Sequence, residues 1–335
     1  MLAVRPAGPA DLDSLMELAV LSGRGFTSLP ADEPVLAARL ELSAASFAGS
    51  VAPAEAWYTL MLEDTDTGRV EGVGGIRAAV GVKRPHFSFR VVTLAQYSSA
   101  IETRFDHQAL VLVNECAGWT EVGSLFLRPE RRSGGAGSLL ARSRYMLIGA
   151  EPLRFNQTVM AELRGWFDEG GHSPFWEGVA SKFYRLPFDE ADRMTTSTDG
   201  QFILDLAPRH PIYVELMERN ACEAIGRVNR EGEPAAAMLA REGFERSGLV
   251  DIFDGGPTMT CARDNVATIR NARDYRVEVD ATAQGDLMLV ATSGIENFRC
   301  VRAAAIREGD VAAITPETAR ALRVESGSRI RVSAG

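Results

Sequence analysis

The stretch Glu121–Ala150 constrains this chain more than any other. Glu121-Val122-Gly123-Ser124-Leu125-Phe126-Leu127 alternates loosely and ends in a β-favouring apolar run, which predicts a strand that Pro129 stops. Arg131-Arg132-Ser133-Gly134-Gly135-Ala136-Gly137 follows, and then Leu139, Leu140, Met146 and Leu147 recur at helical spacing. The order is strand, glycine loop, helix. A glycine loop that opens a helix lets backbone N–H groups approach an anion closely, and the helix dipole adds favourable potential there. Phosphate suits that chemistry; the plain alternative is a glycine-rich turn in front of a solvated helix.

Two phosphate motifs are excluded by residue identity. A dinucleotide fingerprint would need a third glycine where Leu140 stands, and a P-loop would need a Lys-Ser/Thr pair after the last glycine. The pattern Arg132-x-x-Gly135-x-Gly137 resembles the Q/R-x-x-G-x-G/A loop of the GCN5-related N-acyltransferases. The resemblance implies that Arg132, Gly135, Ala136 and Gly137 bind the diphosphate of an acyl-coenzyme A. Charge points the same way: Arg128, Arg131, Arg132, Arg142 and Arg144 lie within seventeen residues that hold one acid, Glu130, in a chain of net charge −9.

At 335 residues, with 46% hydrophobic and 24% charged, the chain is long enough for two or three globular domains. The N-terminal residues show no charged leader before a sustained apolar segment, and no membrane-length apolar run occurs, so a cytoplasmic protein without a membrane partner is expected. Cys116, Cys222, Cys261 and Cys300 are scattered and lack a C-x-x-C spacing, which suggests reduced thiols and no metal site. The net negative charge argues against nucleic acid as a partner and suits a cationic substrate.

In chain order, Leu2–Arg5 reads as a strand, and Pro9-Ala10-Asp11 opens a helix with Leu12, Leu15, Met16 and Ala19 on one face. Gly23–Pro30 is a polar loop of the kind that carries binding residues or merely connects. A helix over about 32–48, a hairpin of Trp57–Leu62 and Val70–Ile76, and a β-rich region through 113 follow. Beyond the glycine-loop helix come a strand at Val159–Leu163, a helix opened by Ser173-Pro174-Phe175-Trp176, a strand at Phe202–Leu206, a helix at Pro234–Glu242 and a charged helix within 262–274. Short strands at Val277–Val279, Leu287–Thr292, Arg299–Ala305, Val311–Ile314 and Arg329–Val332 predict a small β-barrel. The fold class is α+β: a GCN5-related N-acyltransferase-like mixed sheet flanked by helices, with a C-terminal barrel. The expected division is 1–275 and 276–335, the first part separable into a 1–195 core and a 196–275 extension.

Six blocks carry a more specific resemblance: Thr27-Ser28-Leu29-Pro30, Leu125-Phe126-Leu127, Ser173-Pro174-Phe175-Trp176, His210-Pro211-Ile212-Tyr213, Glu242-Gly243-Phe244 and Asp251–Pro257. In order and spacing they resemble the arginine N-succinyltransferases of the bacterial arginine succinyltransferase pathway, over about residues 1–280. The resemblance implies transfer of a succinyl group from succinyl-CoA, a co-substrate and no resident cofactor, to the α-amino group of L-arginine. It also implies a homo-oligomer, or a heteromer with a paralogous subunit. By the same resemblance, Leu125, with Phe126 and Leu127 beside it, stands where the family binds succinyl-CoA, through backbone groups. The family's proton-donor histidine lies in an Ile-Gly-x-Val-His run, which here is Ile225-Gly226-Arg227-Val228-Asn229. Asparagine hydrogen-bonds but delivers no proton near neutral pH. Alternatives to arginine succinylation are therefore acyl transfer to another amine, or a weakly active partner subunit.

Amide formation needs a proton acceptor for the α-ammonium group and a fate for the thiolate. Glu121 is the candidate base or an exposed strand-end carboxylate. His210 is a candidate catalytic group or a packing residue beside Pro211. Tyr184 is a candidate thiolate donor or a core aromatic. Asp251 and Asp254 are candidate partners for a guanidinium or ordinary Asx-turn residues.

Overall fold

The computed structural model describes residues 1–23, 26, 28–197 and 201–335. Arg24, Gly25 and Thr27 of the expected binding loop lie outside the described residues. Along the chain the elements are β1 (Leu2–Pro6), α1 (Leu12–Ser22), α2 (Glu33–Phe47), β2 (Trp57–Asp64), β3 (Val70–Arg77), β4 (Ser88–Ser98), β5 (Thr103–Val113), β6 (Thr120–Leu127), α3 (Ala136–Ala150) and β7 (Thr158–Glu162). They continue with α4 (Ser181–Tyr184), α5 (Phe188–Ser197), α6 (Gln201–Leu206), β8 (Ile212–Tyr213), α7 (Arg219–Ala224), α8 (Glu233–Arg241), β9 (Glu245–Asp251), β10 (Pro257–Ala262) and α9 (Ala267–Asn271). Last come β11 (Arg273–Val279), β12 (Asp286–Thr292), β13 (Cys300–Glu308), β14 (Val311–Ile314), α10 (Pro316–Leu322) and β15 (Arg329–Ala334).

The chain divides into two compact units, one of residues 1–79, 119–159 and 262–335, the other of 80–118 and 160–261. In the first, β1 pairs antiparallel with β2, β2 with β3, and β3 with β6. Asp32 caps α2 by accepting from the Val35 N–H at 3.1 Å, and Leu36 and Leu40 then bury with Leu15 and Leu18 of α1 against Met61, Val73 and Phe126 of the sheet. Helix α3 sits close to β3 because β3 is glycine-rich there. A Cβ on Gly72 would stand 3.2 Å from Leu140 Cδ2, and one on Gly74 would stand 3.4 Å from Arg144 Cδ.

The same unit contains the barrel. β12 pairs with β15, β15 with β11, β11 in parallel with β14, β14 with β13, and β13 back with β12, so no edge is left between them. Val277, Val290, Val301, Ile314, Ile330 and Val332 fill it. β13 also pairs with β1, Ala3 facing Val301, which makes the barrel continuous with the sheet.

In the second unit β10 pairs with β9, β9 with β4, β4 with β5 along eleven residue pairs, and β5 with the short β8. Its core gathers Phe89, Leu110, Phe175, Trp176, Tyr184, Phe202 and Ile252. Two expectations are corrected here and in the first unit. Phe202–Leu206 is helical, because Phe202, Ile203 and Ala207 are buried while Leu204 and Leu206 face out, a helical rather than an alternating pattern. The charged helix within 262–274 shrinks to α9, since β11 already begins at Arg273.

Candidate active site

The first unit holds the strand, loop and helix of 121–150. Along β6 the register slips against β3: Val73 faces Phe126, yet Gly75 faces Gly123, so Ser124 and Leu125 together stand opposite Gly74. Such a bulge leaves backbone groups out of the ladder. Ser124 adopts φ 49°, a left-handed conformation rare for a residue with a side chain, and its hydroxyl donates to the Ser28 carbonyl at 2.9 Å. Leu125 is half-buried and Phe126 is in the core, so any polar service at these positions belongs to the backbone. Leu127 packs beneath the loop, 3.4 Å from where a Cβ on Gly137 would stand.

Gly134 and Gly135 both take positive φ, 72° and 85°, which turns the chain sharply into α3. Gly135 is the N-cap and no side chain caps the helix, nor does its first turn carry an acid. The first internal bond runs from the Leu139 N–H to the Gly135 carbonyl, so the N–H groups of Ala136, Gly137 and Ser138 have no acceptor among the described residues. Three aligned donors at a positive helix end make an anion cradle.

The arginine cluster resolves into separate jobs. Arg128 is buried in a bidentate ion pair with Glu17, and Arg131 lies 2.9 Å from both Asp64 and the buried Glu71. Arg144 is buried, its guanidinium pushed down by burial, and it donates to the Gly123 carbonyl at 3.3 Å. Arg142 donates to Thr268 and to the Ala334 carbonyl. Only Arg132 of the five is exposed without an acid partner among the described residues, its guanidinium 5.6 Å from the Phe126 ring centroid. A second exposed cation comes from the barrel, where sequence spacing gives no hint of it: Arg302 Nη1 would lie 2.6 Å from a Cβ on Gly135.

Glu121 is the second residue of the same strand. Its Oε2 pairs with Arg77 at 3.3 Å, and its Oε1 lies over Gly123, 3.3 Å from where a Cβ would stand. The carboxylate thus sits on β6 three residues before Ser124 of the bulge and is not an idle strand end.

The second unit holds the other five candidates. Asp251 Oδ1 accepts from the N–H groups of Phe253 and Asp254 at 2.7 and 2.9 Å. Asp254 accepts from Gly256 and from Gly165, both at 2.8 Å. Burial, then each neighbouring carboxylate, pushes Asp251 well above the ordinary range, and burial also raises Asp254. Of the two readings left by the sequence, the geometry favours the turn-building one.

Asp254 and Asn229 grip one segment from two sides. The Asn229 N–H donates to the Arg164 carbonyl at 2.9 Å, next to the Gly165 N–H held by Asp254, and Gly226 N–H donates to the Gly255 carbonyl at 2.8 Å. Asn229 Oδ1 accepts from the Glu231 N–H at 3.0 Å and so caps the short helix of 230–232. Tyr184 is buried among Trp176, Phe202 and Phe253, and its hydroxyl finds no partner among the described residues. Burial, then Asp251, raises its pKa, so the hydroxyl keeps its proton firmly. His210 is exposed on a cleft of about 500 Å³ lined by Phe183, Ile212, Tyr213 and Met217. No hydrogen bond, ion pair or ring contact joins it to Tyr184, Asn229 or Asp251 among the described residues.

Comparison with known proteins follows the same lines. A family model described as arginine N-succinyltransferase beta subunit matches residues 2–268, and one for that subunit's C-terminal domain matches 273–334. Arginine N-succinyltransferases of Escherichia coli (strain 55989 / EAEC) and of Shigella flexneri are each 38% identical over 99% of this chain and 97% of theirs. The structure of arginine/ornithine succinyltransferase subunit AI from Pseudomonas aeruginosa superposes with a TM-score of 0.91 at 32% identity, covering 100% of this chain and 98% of that one.

Proposed function

The chain belongs to the arginine N-succinyltransferase family, and from that premise we propose that it transfers a succinyl group from succinyl-CoA to the α-amino group of L-arginine, giving N2-succinylarginine and CoA. The observation that carries the reading is the full-length relationship to arginine N-succinyltransferases, joined to an uncapped helix N-terminus beside a bulged strand.

The diphosphate of the thioester substrate is assigned to the N–H groups of Ala136, Gly137 and Ser138, with Arg132 and Arg302 as exposed counter-charges. In the reaction the neutral α-amine attacks the thioester carbonyl, a C–N bond forms, and the C–S bond breaks. Glu121 takes the amine's proton, directly or through one water, and the departing CoA thiolate regains a proton from solvent, which leaves CoA as the free thiol. The developing oxyanion is assigned to backbone N–H at the bulge of Ser124 and Leu125, a reading supported by the register shift there. Asn229 stands at the family's histidine position and is limited to hydrogen bonding through its amide. The division near residue 275 is proposed as the limit of the acyltransferase region, and assembly with further copies or a paralogous chain as its quaternary state. A cytoplasmic setting is proposed for this role.

A thiol-release assay crossing succinyl-CoA and acetyl-CoA with arginine, ornithine and lysine tests the reaction. Succinyl-CoA with arginine is expected to give the highest kcat/KM. A better acceptor or donor among the other pairs, or no release from any pair, contradicts the proposal.

A further inference from the structure

We propose that Arg39, Arg77 and the indole N–H of Trp57 form a carboxylate subsite, and that it takes the free carboxylate of the succinyl group. The inference rests on the reading of the chain as a succinyltransferase. Two guanidinium groups flank one indole: Arg39 Cζ lies 4.5 Å and Arg77 Cζ 5.2 Å from the Trp57 ring centroid. Among the described residues a single carboxylate answers them, Glu121, which pairs with Arg77 at 3.3 Å. Arg39 has no acid partner among the described residues; its one hydrogen bond goes to the Ser28 carbonyl at 2.6 Å. The described residues of the cluster therefore hold one more positive charge than negative.

It also holds an orphan donor. Trp57 Nε1 is buried and meets no acceptor among the described residues. Buried donors are rarely left so, and leaving one unpaired is costly. Burial, then the neighbouring charge of Arg77, pushes the Arg39 guanidinium down to about 10, with Glu121 opposing. A ligand carboxylate relieves both features at once, because its two oxygens accept from a guanidinium fork and from the indole N–H while its charge balances the pair.

Position makes the ligand specific. Ser124 Oγ, at the bulge, donates to the same Ser28 carbonyl that Arg39 binds, at 2.9 Å, so the subsite adjoins the strand segment assigned to the thioester carbonyl. In a succinyl group three carbon–carbon bonds of about 1.5 Å each separate the thioester carbon from the carboxylate carbon. An acyl chain of that length, held at the bulge, delivers its carboxylate to the arginine pair; an acetyl group delivers none. The acceptor's own α-carboxylate has the same chemistry, and the test separates the two sources.

The measurement is kcat/KM for succinyl-CoA against butyryl-CoA, of equal chain length but uncharged, and for arginine against agmatine, which lacks the α-carboxylate. Arg39→Gln should lower the succinyl-to-butyryl ratio at least about tenfold, chiefly through KM, while the arginine-to-agmatine ratio holds. Arg39→Lys should recover part of the loss, and Arg77→Gln, a second variant should the first not fold, should move the ratio the same way. A ratio that stays put in folded variants of an active enzyme overturns the inference alone, as does a collapse confined to the arginine-to-agmatine ratio. A wild-type chain that releases no thiol from succinyl-CoA overturns the functional reading together with it.

Discussion

Two glycine-bearing turns with clustered charge look alike on paper and behave in opposite ways. The turn of 251–257 consumes its own donors: the N–H groups of Phe253, Asp254 and Gly256 all end on Asp251 or Asp254. The loop of 132–137 leaves its donors open, because Gly135 has no side chain to cap α3 and no acid stands in the first turn. A turn that satisfies its own N–H groups is scaffold, whereas one that leaves them aligned at a positive helix end is a receptor for an anion. The difference lies in whether a carboxylate sits within two or three residues of the donors.

Filling the open loop gives the largest expected effect. Gly135→Val puts a β-branched residue at φ 85° and drives it against Arg302, 2.6 Å from the new Cβ. CoA affinity, measured by calorimetry, should fall at least about a hundredfold, as expected for the loss of two charge-assisted hydrogen bonds. Unchanged affinity in a folded protein breaks the comparison.

Emptying the closed turn should show up in stability instead. Asp254→Ala strands the Gly165 and Gly256 N–H groups, both buried, and should cost about 2–5 kcal/mol in denaturant unfolding while CoA affinity stays within about twofold. The pH dependence has a definite sign. Asp251 is held above the ordinary carboxylate pKa in the folded chain, so its contribution is fully present below that ordinary value and is lost as pH rises through the folded one. Asp251→Asn, which keeps an acceptor and never ionises, should flatten that fall; a fall of equal slope in the variant counts against the assignment.

The smallest effects belong to Asn229. Asn229→Asp keeps the acceptor that caps 230–232, and Asn229→Ala removes it at about 1 kcal/mol. If the amide N–H serves turnover, both variants should slow it about tenfold or more, while Asp leaves stability nearly intact. Full turnover in Asn229→Asp reduces the position to a cap. Full activity appearing only in Asn229→His would instead mark this chain as a subunit that lacks its proton donor.

The strand, loop, helix and barrel were legible in the sequence because each rests on local periodicity and turn residues. The fate of the arginines was not. Arg128 and Arg131 find Glu17, Asp64 and Glu71 from distant parts of the chain, and Arg142 and Arg144 end on carbonyls, so a run of positive charge that reads as a phosphate site is mostly structural. Arg302 and Arg39 escaped notice for the same reason, since only tertiary structure carries one to Gly135 and the other to Trp57. Phe202–Leu206 was misread because five residues are too few to separate helical from alternating burial.

Amide hydrogen exchange of the full wild-type chain, with and without CoA, shows whether the open helix N-terminus of α3 is the diphosphate receptor. The Ala136, Gly137 and Ser138 amides are expected to exchange fast alone and to slow markedly with CoA, while those of Phe253, Asp254 and Gly256 stay slow in both states. CoA binding that leaves residues 136–138 unprotected would contradict that assignment.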